Sequence, residues 1–271
     1  MEFEPGSDSA IRVVQISDCH LGSDQSFTLA GINTYNSFSN VLAEIKDHKQ
    51  PPSLIAVTGD IASEGDGRTY QLFSQSMKAS QLPYAWLPGN HDDFSVMTEV
   101  MDQPFTKAVE LGNWVVIFLV SAVPGEVGGV LAEAELVQLG HLLRLYSDRY
   151  TLLFVHHPPS KIDCKWLDEQ RIANHETLAE LLVQHNAQHK NLRAIFSGHV
   201  HQESESVCGG LPVYSTPSTC VQFASGSDTF ALSDQAPGYR WIDLCGDGTI
   251  NTGVERLQYD MQAMDQSCIG Y

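Results

Sequence analysis

The chain has 271 residues, 42% of them hydrophobic and 18% charged, enough apolar material for a sizeable core and a composition that excludes a disordered chain. Acidic residues outnumber basic ones 33 to 15, giving a formal net charge of −18. That balance excludes long-range attraction to nucleic acid or anionic lipid, whose phosphates are also negative, and is accounted for by solubility.

The first residues, Met1 to Ala10, carry Glu2, Glu4 and Asp8 but no Lys or Arg, unlike the basic start and apolar stretch of a signal peptide. Ile11 to Ser17 reads as a strand. Tyr35 to Asp47 reads as a helix, with Phe38, Val41, Leu42 and Ile45 along one side. Strands follow at Ser53 to Thr58, after the turn signal Pro51-Pro52, then at Tyr84 to Leu87 and Trp114 to Val120. The last of these is the longest apolar run and is too short to cross a bilayer. Glu133 to Tyr146 repeats Leu136, Leu139, Leu142, Leu143 and Tyr146 at helical spacing. Thr151 to Val155 is a strand, Lys161 to Arg171 a long loop, and Asn174 to His185 a helix for which Asn174 is a plausible N-cap. Ala194 to Ser197 completes the α/β part.

After Gly198 the pattern is mostly β. Short strands are expected at Glu203 to Val207, Pro212 to Ser215, Arg240 to Leu244 and Thr249 to Arg256, with Gly209-Gly210 and Gly246-Asp247-Gly248 as hairpin turns. Pro217 to Gly238 reads as a second long loop. The expected architecture is one α/β domain over residues 1–257, with sheets packed between helices, and a C-terminal tail over 258–271. Six dispersed cysteines (Cys19, Cys164, Cys208, Cys220, Cys245 and Cys268) form no C-x-x-C pair. Reduced thiols in a cytoplasm account for them.

Five short blocks carry the chemistry: Asp18-Cys19-His20, Gly59-Asp60, Gly89-Asn90-His91-Asp92, His156-His157-Pro158 and Gly198-His199-Val200-His201. Each falls just past the carboxyl end of an expected strand, the edge where active sites of α/β sheets gather. Carboxylate, imidazole and amide oxygen suit zinc, manganese or iron, and two such cations need an anion between them. Asp60 is the natural bridge. Asp18, His20 and His201 are assigned to one divalent metal ion, and Asn90, His156 and His199 to the other. Gly59, Gly89 and Gly198 permit the tight turns that bring these ligands together. The two histidines of the last block are expected on one side of an extended segment. His157 either supports a ligand from behind without binding metal itself or is exposed to solvent.

These blocks resemble the pattern of the calcineurin-like metallophosphoesterase superfamily: D-x-H, G-D, G-N-H-D/E, H and G-H-x-H. The resemblance implies two β-sheets packed as a sandwich and flanked by helices. A narrower likeness runs through Leu87 to Asp92, His156-His157-Pro158, Trp166-Leu167-Asp168, Thr216 to Phe223 and Ala236 to Arg240, with the closing Gly270-Tyr271 as a further echo. These segments resemble bacterial class III 3′,5′-cyclic-AMP phosphodiesterases. That likeness implies a cytoplasmic hydrolase acting on a small cyclic nucleotide, and weakly a homodimer, with neither nucleic acid nor membrane as partner.

The expected reaction is phosphodiester hydrolysis by a hydroxide held between two metals, giving 5′-AMP. His91 is the expected catalytic acid, or failing that a second-shell histidine. His20, Asp60, Asn90, His91 and His201 are the residues expected at the substrate phosphate. Asp92 either orients His91 or caps the turn. Asn174 either reaches the nucleotide or caps its helix. Trp166 either stacks on the base or packs in the core, and Cys220 is a buried apolar thiol.

Overall fold

The strand Trp114–Leu119 is buried at every one of its positions. A strand needs such an unbroken apolar run only when both of its faces are covered. The same holds for Leu54–Thr58, and these two strands lie in different sheets. In the computed structural model, which describes residues 10–268 and residue 270, each sheet faces the other on one side and helices on the opposite side. The acidic segment 1–9 and Tyr271 of the closing pair lie outside the described residues.

In chain order the elements are β1 (Ile11–Ile16), β2 (Thr28–Leu29), β3 (Ile32–Asn33), α1 (Thr34–Asp47), β4 (Leu54–Thr58), α2 (Gly67–Ser80), β5 (Tyr84–Leu87) and α3 (Phe94–Val100). There follow β6 (Ala108–Leu111), β7 (Trp114–Leu119), α4 (Glu133–Leu145), β8 (Tyr150–Val155), α5 (Lys165–Asp168), α6 (His175–His189) and β9 (Leu192–Ser197). The last are β10 (Glu205–Cys208), β11 (Leu211–Ser215), β12 (Gln222–Phe223), β13 (Leu232–Ser233), β14 (Gly238–Leu244) and β15 (Ile250–Arg256).

One sheet runs β15-β14-β1-β4-β5 and the other β10-β11-β9-β8-β7-β6. Strands β1, β4 and β5 are mutually parallel, as are β7, β8, β9 and β11. Between the sheets Val13, Ala56 and Ile242 meet Trp114, Phe118, Phe154 and Phe196. The alternate residues Val14, Ile16, Ile55 and Val57 face α1 and α2 through Phe38, Val41, Tyr70 and Phe73. On the far side Ile117, Leu153 and Ile195 face α4 and α6 through Leu139, Leu143, Leu178 and Leu182. This is the expected sandwich of two sheets flanked by helices.

Several boundaries and elements differ from the sequence reading. The region 61–83, left unassigned, holds α2: Asp66 caps it by accepting from the N–H groups of Arg68 (2.8 Å) and Thr69 (3.1 Å), and Tyr70, Phe73 and Met77 are its buried stripe. The short α3, capped by Asp93, and the edge strand β6 also went unread. The loop 161–171 contains α5, and the loop 217–238 contains the small β12–β13 ladder. The mostly-β C-terminal part does not stand apart. Strand β14 pairs antiparallel with β1, and β11 pairs parallel with β9, so both sheets need it. Residues beyond 257 return to the body: Met264 is buried with Leu29, Ile32 and Cys220. No helix of the described residues is long and apolar enough to cross a membrane.

Candidate dinuclear metal centre

The parallel strands β1, β4 and β5 of one sheet and β8 and β9 of the other deliver all five blocks from their carboxyl ends. The residues just past those ends leave the extended conformation at once. Asp18, His20, Asp60, His199 and His201 have φ of 56°, 44°, 48°, 68° and 46°. They make up five of the nine non-glycine residues with positive φ among the described residues. Such backbone costs on the order of 1–3 kcal/mol per residue, and its clustering marks a functional site.

This geometry changes the reason why alternate residues converge. His199 and His201 do not share a side of an extended strand, as the sequence reading supposed. Each sits in a left-handed kink, and the intervening Val200 is buried with Cys164, Leu167 and Phe223. Cys19, between Asp18 and His20, turns into the core beside Val14 and Phe38. Burial there raises its thiol far above the usual range, and Cys19 belongs to none of the donor groups that gather at the site.

The seven expected ligands come together. His201 Nε2 lies 3.4 Å from Asp18 Oδ1 and 3.2 Å from His20 Nε2. Asn90 Oδ1 lies 3.0 Å from both His156 Nε2 and His199 Nδ1. Asp60 spans the two groups, with Oδ2 at 3.3 Å from His156 Nε2 and 3.8 Å from His20 Nε2. Overlapping triads, each with ligand atoms within 4.8 Å of one another, link Asp18 with His20 and His201, Asp18 with Asp60 and His156, His20 with Asp60 and His91, and His156 with His157 and His199.

The charge states suit cations. Asp18 and Asp60 are fully buried, which by itself raises a carboxyl, yet both are held below the usual range. His201 does this for Asp18, and His156, His20 and His91 for Asp60. Burial pushes the His20 ring down to about 3 and also lowers His199, so both are neutral imidazoles, the form that binds metal. Burial opposes charge on His156 too, but the Asp60 carboxylate carries it up to about 9. Two buried anions, an amide oxygen and four imidazoles within a few ångströms fit a pair of divalent cations of the zinc, manganese or iron type.

The backbone leaves no slack around these groups. A Cβ on Gly59 would lie 2.5 Å from His156 Nδ1, and one on Gly89 would fall on Asp60 Oδ1. Ser218 Oγ donates to the Asp18 carbonyl at 2.7 Å, and the His199 N–H donates to the Asp18 carboxylate at 3.1 Å.

Where the sequence leaves two roles open, the structure decides between them or, for Asn174, supplies a third. Asp92 does not orient the His91 ring. Its carboxylate accepts from the N–H groups of Ile61, Ala62 and Gly89 and from the Tyr70 hydroxyl, tying the third block to the second. The His91 ring instead places Nδ1 3.0 Å from the Ser63 carbonyl, while its N–H donates to Asp60 Oδ1 at 2.9 Å. His157 is buried, not solvent-exposed, and bridges Ser121 Oγ (2.9 Å) and the Val127 carbonyl (3.0 Å). Asn174 makes no side-chain cap. Its amide closes both polar groups of Leu131, which occupies the side chain proposed for a nucleotide contact. Trp166 packs edge-on to Phe223 and Phe230, and Phe223 stacks on His201 at 4.1 Å between ring centroids. Sequence reasoning missed Gln170, whose Oε1 lies 2.9 Å from His199 Nε2. It also missed Gln15, whose amide donates to Thr58 Oγ1 and to the Ser197 carbonyl, joining the two sheets behind the site.

Comparison with known proteins agrees with this geometry. The profile of the calcineurin-like phosphoesterases matches residues 11–203. The chain is 35% identical over 270 residues to the 3′,5′-cyclic adenosine monophosphate phosphodiesterase CpdA of Pseudomonas aeruginosa, covering 98% of this chain and 97% of that one. It is 38% identical over 252 residues to the protein of the same name from Haemophilus influenzae, covering 92% and 90%. Among solved structures, a dimetal phosphatase from Danio rerio superposes with a TM-score of 0.62 at 14% identity, covering 90% of this chain and 99% of that one. That last likeness speaks for the fold alone.

Proposed function

The chain belongs to the calcineurin-like phosphoesterase family, and from that premise we propose that it hydrolyses 3′,5′-cyclic AMP to 5′-AMP with two bound divalent cations. The full-length similarity to relatives of that name carries the choice of substrate. The donor set supports the two cations. Asp18, His20 and His201 would hold one, Asn90, His156 and His199 the other, with Asp60 shared between them. Iron, manganese and zinc all suit these nitrogen and oxygen donors. When bound, such cations neutralise phosphate charge and acidify water at neutral pH.

The protein's own groups do the rest. His20, Asp60, Asn90, His91 and His201 line the position of the phosphate. His91 is half-buried and packs edge-on against His20, with ring centroids 4.9 Å apart. Its Nδ1–H, donated to the Ser63 carbonyl, fixes the ring, and in the imidazolium form the Nε2–H passes its proton to the departing 3′ oxygen, leaving the neutral imidazole. The six free cysteines support a reducing compartment, the cytoplasm. A homodimer is the assembly that the resemblance suggests.

The test is product identification. Protein loaded with manganese or iron is given cyclic AMP, cyclic GMP and nucleoside 2′,3′-cyclic phosphates, and the products are separated by chromatography. Release of 5′-AMP at the highest turnover of the set is the expected result. Faster turnover of either alternative, or none with any, removes the assignment.

A further inference from the structure

Three imidazoles of the centre share one construction: one ring nitrogen turned in toward the other donors and the second turned out onto an oxygen. His156 presents Nε2 to Asn90 and Asp60 and rests Nδ1 on the Thr58 carbonyl at 2.8 Å. His201 presents Nε2 to Asp18 and His20 and rests Nδ1 on the Val221 carbonyl at 2.8 Å. His199 presents Nδ1 to Asn90 Oδ1 at 3.0 Å and rests Nε2 on Gln170 Oε1 at 2.9 Å, so that without a cation the two amide oxygens compete for its proton. With a cation at the inner nitrogen, each of these rings is neutral and carries a single proton. An oxygen acceptor on the outer nitrogen keeps the proton there and frees the inner lone pair.

The three acceptors differ in one respect. For His156 and His201 the acceptor belongs to the backbone, which no side-chain replacement alters. For His199 it is a side chain, 29 residues away in sequence. Gln170 is itself held from two directions. Its N–H donates to the Leu167 carbonyl at 2.9 Å, and its own carbonyl accepts from the Gly129 N–H at 3.3 Å. Gly129 in turn lies against His157, where a Cβ would come within 2.5 Å of the ring. The backbone that carries this amide is therefore anchored to the segment that also holds His157.

We propose that Gln170 is a positioning residue whose amide oxygen keeps the His199 proton on Nε2 and thereby sets the affinity of the cation held by Asn90, His156 and His199. Gln170 is not one of the seven donors and would act on that cation through His199 alone. The proposal rests on the two-cation reading above, but its first readout does not.

The experiment compares wild type, Gln170→Leu, which removes the acceptor, and Gln170→Glu, which keeps one and makes the ligand more basic. The first readout is the His199 tautomer in metal-free protein, from nitrogen-15 NMR of the imidazole. Wild type and Gln170→Glu are expected to carry the proton on Nε2, and Gln170→Leu to show a mixture. The second readout is zinc titration against a competing chelator. Gln170→Leu is expected to bind the weaker zinc about 10–100-fold less tightly and the tighter zinc as before, with Gln170→Glu restoring the wild-type value or exceeding it. The third is cyclic AMP turnover: kcat of Gln170→Leu falls at limiting zinc and recovers at saturating zinc, with KM unchanged.

A wild-type His199 protonated on Nδ1, or a Gln170→Leu protein that binds both zinc ions as tightly as wild type, overturns the proposal. Should Gln170→Leu fail to fold, the wild-type tautomer alone decides. A wild type that binds no zinc pair defeats the two-cation reading instead, and the tautomer still judges Gln170.

Discussion

Asp60 and His156 come from strands of different sheets and meet with Oδ2 3.3 Å from Nε2. Asp60 follows β4 and His156 follows β8, so the contact closes the seam of the sandwich at its carboxyl edge. The same carboxylate accepts the His91 N–H through Oδ1 at 2.9 Å and reaches toward His20 with Oδ2 at 3.8 Å. One side chain thus ties four of the five blocks together, its own included.

Replacing Asp60 should therefore affect both cations at once. Asp60→Ala is expected to lose bound metal from two ions per chain toward none and to lose turnover. Added manganese should raise the melting temperature of wild type, because a ligand that binds only the folded state stabilises it by mass action, and should leave Asp60→Ala unmoved. Elemental analysis and thermal unfolding check both; two retained ions in Asp60→Ala would remove the bridging role.

His91 should separate chemistry from metal binding. His91→Ala is expected to keep two metal ions per chain while kcat falls by about 10²–10⁴-fold, the usual contribution of a positioned acid. The loss should shrink for a substrate with an activated leaving group, such as a nitrophenyl phosphodiester, which needs no proton. An equal loss on both substrates would assign His91 to phosphate binding.

Phe154 is the middle ring of a stack across neighbouring strands, 5.7 Å from Phe118 and 5.1 Å from Phe196. Phe154→Ala should cost about 3–5 kcal/mol by leaving a cavity between the sheets, seen as a drop of roughly 10 °C in melting temperature for a chain of this size. Calorimetry checks it. A change under about 1 kcal/mol would mean that the two sheets do not pack as described.

The cysteines give a test that needs no ligand. Cys19, Cys164, Cys208 and Cys220 are buried, and burial pushes the thiol of Cys208 up to about 11 and that of Cys220 to about 12. Cys245 and Cys268 are half-buried. A thiol reagent on native protein should modify Cys245 and Cys268 first, with all six reacting after unfolding. Early labelling of Cys220, read by peptide mapping, would show that the tail around Met264 does not cover it.

The donors were legible because each stands just past a strand that local patterning reveals. Ile11 to Ser17 and Trp114 to Val120 needed only their own apolar runs to be found. Helix α1 needed only Phe38, Val41, Leu42 and Ile45 at their spacing. Helix α2 carries a comparable signal in Asp66, Tyr70, Phe73 and Met77, but its apolar residues are sparse and Gly67 stands at its start, so the pattern alone assigns the region no element.

By itself the sequence determined which residue types stand at the strand ends, and hence a centre of carboxylate, amide and imidazole donors, because chain position and periodicity are local properties. Only the tertiary structure decided that β14 lies between β15 and β1, and that the Thr58 carbonyl, the Val221 carbonyl and Gln170 set the outer nitrogens of His156, His201 and His199. Asp92 clamping Ile61 and Ala62, and Asn174 closing on Leu131, belong to the same class. The side-chain bonds among these join residues up to 98 positions apart. They arise from the collective packing of two sheets, which leaves no periodic trace in either partner's own neighbourhood.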